Sequence, residues 1–149
     1  MSLQKKVMDK LKEAMKSKDT VALESLRAIK SAILLAQTDK GAKAELTEVD
    51  ELKLLQRLVK QRKDSAAVYL EQGREDLAKP ELEQVAVIEQ FLPEQMSEEA
   101  IKNAVALIIA QAGASSMKDM GKVMGIASQQ LAGKADGKTI SNVVKALLS

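Results

Sequence analysis

Three places in the sequence carry residue types and spacings that could do chemistry. Ser115 and Ser116 are followed by Lys118, the order of a serine–lysine hydrolase. The acidic neighbours Glu75-Asp76 and Glu98-Glu99 could act as general acid–base pairs. Gly121-Lys122-Val123-Met124-Gly125 sets two glycines four apart around a lysine, which lets another backbone come close. Each has a plainer account. Ser116, with Asp119 three residues on, reads as a helix cap, and Lys118 as a surface cation. Acids in a first helical turn are favoured by the helix dipole. A glycine inside a helix costs about 1 kcal/mol relative to alanine, so something should compensate. Close packing against a neighbouring helix is the expected compensation; approach of a nucleic-acid backbone is the functional alternative. The segment is not a phosphate loop, because no strand precedes it and the glycine spacing is wrong.

The rest of the inventory narrows the chemistry further. The 149 residues include no His and no Cys. The commonest general base at neutral pH is therefore missing, as are the nitrogen and sulfur ligands of zinc and iron sites. No Ser-His-Asp or Cys-His arrangement can form. The sequence assigns no catalytic residue, no metal site and no cofactor. With no cysteine there are no disulfides, and nothing favours an oxidising compartment. The N-terminal stretch is amphipathic and Lys-rich, unlike a secretory leader. The longest apolar run, Ala104–Ala110, is too short to span a bilayer. The expected location is cytoplasmic, with no membrane partner.

The formal net charge is +2, but its distribution is uneven. From Ala114 onward there are five Lys and two Asp, and Arg57, Lys60, Arg62 and Lys63 form a second basic cluster in mid-chain. Both are compatible with phosphates. Tyr69 and Phe91 are the only aromatics, and both are expected to be buried. Base stacking is thus disfavoured, and any RNA contact must work through shape and phosphate.

The elements that would position these residues read as all-α. Leu, Ala, Ile, Val and Met supply nearly all the apolar content, and only Pro80 and Pro93 can interrupt a helix. Leu3, Val7, Leu11 and Met15 mark one face of a first helix over residues 2–17. A second is expected over 21–37, a loop over 38–45, and a third helix from the Thr47 cap to Gln72, ended by Gly73. Residues 75–77 should form a turn before a fourth helix that has Pro80 at its first position. Leu92-Pro93 is the best domain boundary, because the residue before proline avoids the α region. Ser97 caps a fifth helix that ends at Gly113, a sixth spans about 117–132, and a seventh about 138–148. Met117, Met120 and Met124 form a stripe on the sixth, read as core filler. The expected organisation is two different bundles: a multi-helix domain over 1–93 and a three-helix domain over 97–149.

Several stretches together resemble the YqeY-like proteins. They are Leu26-Arg27, Lys60-Gln61-Arg62-Lys63-Asp64-Ser65, Gly73-Arg74-x-Asp76-Leu77, Phe91-Leu92-Pro93, Gly121–Gly125, Leu131–Lys138 and Ile140-Ser141-x-Val143-Val144-Lys145. The family usually has Tyr where this chain has Phe91, and often an acid near Ala67. The resemblance covers essentially the whole chain and implies two helical bundles. It further implies that the C-terminal bundle is similar to the tail domain of the B subunit of glutamyl/aspartyl-tRNA amidotransferase. There the tail helps hold the tRNA, while a separate domain carries the chemistry. The family's label of carbon–nitrogen ligase activity, with glutamine as amido donor, reads as inherited from that larger enzyme.

The expected function is a stand-alone, non-catalytic tRNA-binding or tRNA-associated module of bacterial type. Lys118, Lys122, Lys134, Lys138 and Lys145 are the expected phosphate contacts. Gly121, Gly125 and Gly133 would allow close approach, and Asp136-Gly137 would set the turn that presents Lys134 and Lys138. The alternatives are a protein-interaction adaptor, with a tRNA-linked enzyme or another protein as partner, and an accessory subunit of a glutamine-dependent amidotransferase.

Overall fold

A computed structural model of the chain describes residues 2–41 and 45–149, with Lys40 described by its backbone alone. Seven α-helices make up the described residues, with no strand among them: α1 Leu3–Ser17, α2 Thr20–Lys40, α3 Glu48–Glu71, α4 Glu75–Glu89, α5 Glu98–Ala112, α6 Met120–Gln130 and α7 Gly137–Leu148. A 3-10 turn over Met117–Asp119 precedes α6. The chain divides into two compact units, Met1–Leu92 and Pro93–Ser149. None of the helices is long and apolar enough to cross a membrane.

In the first unit the four-residue spacing on α1 turns Leu3, Val7, Leu11 and Ala14 inward. They meet Leu26, Ile29 and Ile33 of α2, Leu55 and Val59 of α3, and Val85 and Ile88 of α4. Each fully buried Ile or Leu contributes about 1.5–3 kcal/mol relative to its exposed state. Side chains cap the starts of α2 and α3. Asp19 accepts from the Ala22 amide, and Thr47 and Asp50 exchange bonds as a full capping box. α2 runs three residues past Gln37, and Thr38 Oγ1 donates to the Leu34 carbonyl at 2.8 Å. The expected loop over 38–45 is therefore shorter, and residues 42–44 lie outside the described residues. α3 ends in a Schellman motif: the Arg74 amide donates to the Tyr69 carbonyl at 2.8 Å and the Gly73 amide to Leu70 at 3.1 Å. Gly73 takes a φ of +71°, which glycine adopts without a Cβ penalty.

Pro80 corrects one expectation. It lies inside α4, which begins five residues earlier at Glu75 without a separate turn. Proline withholds only its own amide, and the Leu77 and Ala78 amides both still donate to the Arg74 carbonyl at 3.1 Å. Burial of Ala78 holds that first turn against the fold. A second correction concerns the aromatics: Tyr69 and Phe91 are half-buried, with Phe91 packed against the core.

In the second unit Ile101, Val105 and Ile108 of α5 meet Val123 and Ala127 of α6, together with Ile140, Val143, Val144 and Leu148 of α7. Met120 and Met124 pack at the edge of this core, while Met117, on the 3-10 turn, is exposed. α5 also ends in a Schellman motif, with Gly113 at φ +66° and the Ala114 amide donating to the Ile109 carbonyl at 3.1 Å.

Candidate nucleic-acid interface

The outer face of α6 is where the sequence's glycines and lysines meet. At about 100° per residue, Gly121, Lys122 and Gly125 fall within one third of the helix circumference. Val123 and Ala127, both fully buried, point the opposite way. Gly121 and Gly125 are exposed, and a Cβ built on either meets nothing within 4 Å. This overturns the helix-packing expectation: among the described residues, no neighbouring helix uses the space these glycines leave. Both adopt ordinary helical backbone, so no positive φ explains them either.

Lys118 and Lys122 flank this face and are exposed. The Lys122 ammonium donates to the Ala112 carbonyl at 3.2 Å, where the C-terminal carbonyls of α5 concentrate negative charge. That bond fixes the stem beside the glycines. Ser116, the cap of the 3-10 turn, accepts from the Lys118 amide, and Asp119 accepts from the Ser115 amide at 3.0 Å. Ser116 thus acts as a cap, and no hydrogen bond joins either serine to the Lys118 ammonium among the described residues.

Lys138 and Lys145 form a separate row. They are seven residues apart on α7, so they share a face about 10.5 Å long, with exposed Asn142 between them. Asp136 caps that helix, its Oδ1 accepting from the Thr139 amide at 2.6 Å. Gly137 is the first residue of α7, so Asp136 alone sets the start that presents Lys138.

Lys134 stands between α6 and α7, on a turn the sequence did not explain. The Met96 amide donates to the Lys134 carbonyl at 2.9 Å, and Gln95 Nε2 donates to the Gly133 carbonyl at 2.7 Å. Gln95 is a positioning residue that sequence reasoning missed: its partner is 38 residues away, and no local period points to it. Gly133 is buried at φ +76°. Its carbonyl is the one that Gln95 holds, so Gly133 serves the turn between α6 and α7.

The mid-chain cluster is not one patch. Arg57, Lys60, Arg62 and Lys63 spread over more than half of the circumference of α3 at its ordinary pitch. Lys60 pairs with Asp64 at 2.9 Å and Lys63 with Glu89 at 3.3 Å. Half-buried Arg62 donates from Nε to Gln84 Oε1 at 2.8 Å and from NH1 to the Leu58 carbonyl at 3.2 Å. Gln84 in turn donates to Glu24 at 3.2 Å, so this relay ties α3, α4 and α2 together.

A bidentate pair closes the Gly73-Arg74-x-Asp76 stretch. Arg74 Nε and NH2 donate to the two Asp76 carboxylate oxygens at 3.0 and 2.9 Å. The Arg74 guanidinium holds the Asp76 carboxyl below its ordinary range, and Asp76 raises Arg74 in return. Asp76 is therefore paired with Arg74, the residue just before α4.

With fold and site in view, the chain belongs to the family described as Yqey-like protein, whose sequence pattern matches residues 4–148. It is similar to Altered inheritance of mitochondria protein 41, mitochondrial, of Kluyveromyces lactis, at 30% identity over 139 residues, which are 91% of this chain and 70% of that protein. The protein of the same name from Clavispora lusitaniae is 37% identical over 82 residues, 55% of this chain and 46% of that one. An uncharacterized protein of Schizosaccharomyces pombe is 33% identical over 96 residues, 64% of this chain and 76% of its own length.

Proposed function

We propose that this protein is a tRNA-binding helical module that contacts the phosphate backbone through the outer face of α6 and the basic row of α7. The observation that carries the reading is the pair of open glycines, Gly121 and Gly125, flanked by Lys118 and Lys122. Each costs about 1 kcal/mol in a helix relative to alanine. No neighbour among the described residues offsets that cost, and a bound backbone can. Exposed ammonium groups beside a bare helix surface suit phosphate, which needs charge and close approach but no base edge. The resemblance of this segment to the tRNA-holding tail of the amidotransferase B subunit supports the same reading. A cytoplasmic site of action is part of the proposal; the word mitochondrial belongs to the names of four relatives.

The test is affinity for bulk tRNA and for duplex DNA across a salt series. Wild type is compared with a variant carrying Lys118→Gln, Lys122→Gln, Lys134→Gln and Lys138→Gln. Preference for tRNA is expected, with a steep salt dependence whose slope falls by about 0.9 for each phosphate that the variant no longer neutralises. Wild type that fails to bind at low salt, or a variant that keeps the full slope, removes the RNA role from these lysines.

A further inference from the structure

The first unit carries an open groove that the RNA reading does not use. It lies between α2 and α3 and has a volume of about 570 Å³. Leu35 stands at its edge with 68% of its surface exposed, next to Leu34 at 49%. Ala32 and Ala36 flank Leu35 on the same wall, and Leu54 and Leu58 form the opposite wall. A large side chain projects beside two small ones, so the surface offers both a knob and the hole to receive one.

Charge orders the groove from end to end. α2 and α3 run in opposite directions from the segment that joins them. Asp39, near the end of α2, and Asp50, near the start of α3, line the end where the chain turns. Lys53 and Arg57 follow along α3, and Arg57 lies seven residues, or about 10.5 Å, beyond Asp50. Neither Asp39 nor Arg57 forms an ion pair with another described residue. A uniformly acidic or basic helix laid here would gain at one end and lose at the other. A partner of reversed polarity gains at both.

We propose that the groove receives a second copy of this chain, related by a two-fold axis that passes close to Leu35. That axis places Asp39 of one protomer on Arg57 of its partner, and the reverse, since an isologous interface repeats each contact twice. Each Leu35 enters the partner's groove between Ala32 and Ala36. Two helices over a few turns make a small interface, so the dimer is a weak one.

Sedimentation equilibrium of the full chain tests this. A single copy has a mass of 16.1 kDa. The weight-average mass is expected to rise toward twice that value as concentration increases from about 10 µM to about 1 mM, the range of a small interface. Leu35→Glu keeps a good helix former at an exposed position, so circular dichroism should stay unchanged. It is expected to weaken the dimer at least about tenfold, as removal of a central apolar anchor does. Arg57→Glu is expected to weaken it too, and adding Asp39→Arg should restore it, because the swapped groove again matches its own twin. A wild type that stays at 16.1 kDa throughout overturns the proposal. So does a Leu35→Glu variant that dimerises as wild type does, or a double swap no better than Arg57→Glu alone. A monomer whose groove instead binds an unrelated amphipathic helix assigns the surface to a foreign partner, and likewise overturns it.

Discussion

On α3, Lys60, Arg62 and Lys63 each meet an acceptor in their own unit: Asp64, Gln84 and Glu89. On the outer side of α6, Lys118 meets none among the described residues, and the glycines beside it face open space. In one dimension the two stretches look alike, since each is a short run of cations on a helix. The difference teaches that charge available for a ligand is what remains after the fold has used its share. Arg62 is spent on a relay that joins three helices, whereas the α6 face keeps its glycines and Lys118 unengaged and ties Lys122 only to the Ala112 carbonyl at the end of α5.

The sharpest way to test that contrast is Gly121→Ala with Gly125→Ala. The two substitutions together are expected to raise unfolding stability by up to about 2 kcal/mol, since alanine is the better helix former and its methyl meets nothing. On the RNA reading the same variant loses tRNA affinity, because the methyl groups hold the backbone off. Urea unfolding and tRNA titration on one preparation read both signs. If stability rises while affinity stays the same, the close-approach role is broken and the lysines alone remain.

Arg62→Ala probes the other side of the comparison. It should cost about 1–2 kcal/mol in urea unfolding, the range for removing charge-assisted bonds from a partly buried relay. It should leave the salt slope of tRNA binding unchanged. A fall in that slope would make the α3 cluster a phosphate surface after all.

The smallest expected effect belongs to the Arg74–Asp76 pair, which is exposed and screened. Asp76 is held below its ordinary range when folded. Its contribution is therefore fully present above the usual carboxylate range, and is lost as pH falls through the depressed value. Asp76→Asn should lower the melting temperature slightly at neutral pH, and the gap to wild type should close in acid. A gap that persists in acid would mean that the residue acts through the start of α4 rather than through its charge.

Much of the fold was legible because it rests on short-range rules. Ser97 and Thr47 each cap the helix that begins one residue later. Gly73 and Gly113 sit just past helix ends with positive φ. Pro80 was misplaced because propensity counts the lost amide bond but not the burial of Ala78, which holds the turn before it. The candidate site was legible only as a set of residue types. Gly121 and Gly125 recur at a spacing that serves a packed helix and a ligand-facing helix equally well. The distinction depends on what stands beyond a Cβ that is not there.

Sequence alone therefore determined the helices, their caps, the inward stripes and the absence of His and Cys chemistry. These follow from backbone propensity and from a 3.6-residue period that acts over a few neighbours. Tertiary structure alone decided that Gly133 lies under Gln95, that Arg62 is bound to Gln84, and that the α6 glycines and Leu35 look outward. Each of these depends on which distant segment packs against a residue, and a helical period reveals which face is buried without revealing what covers it.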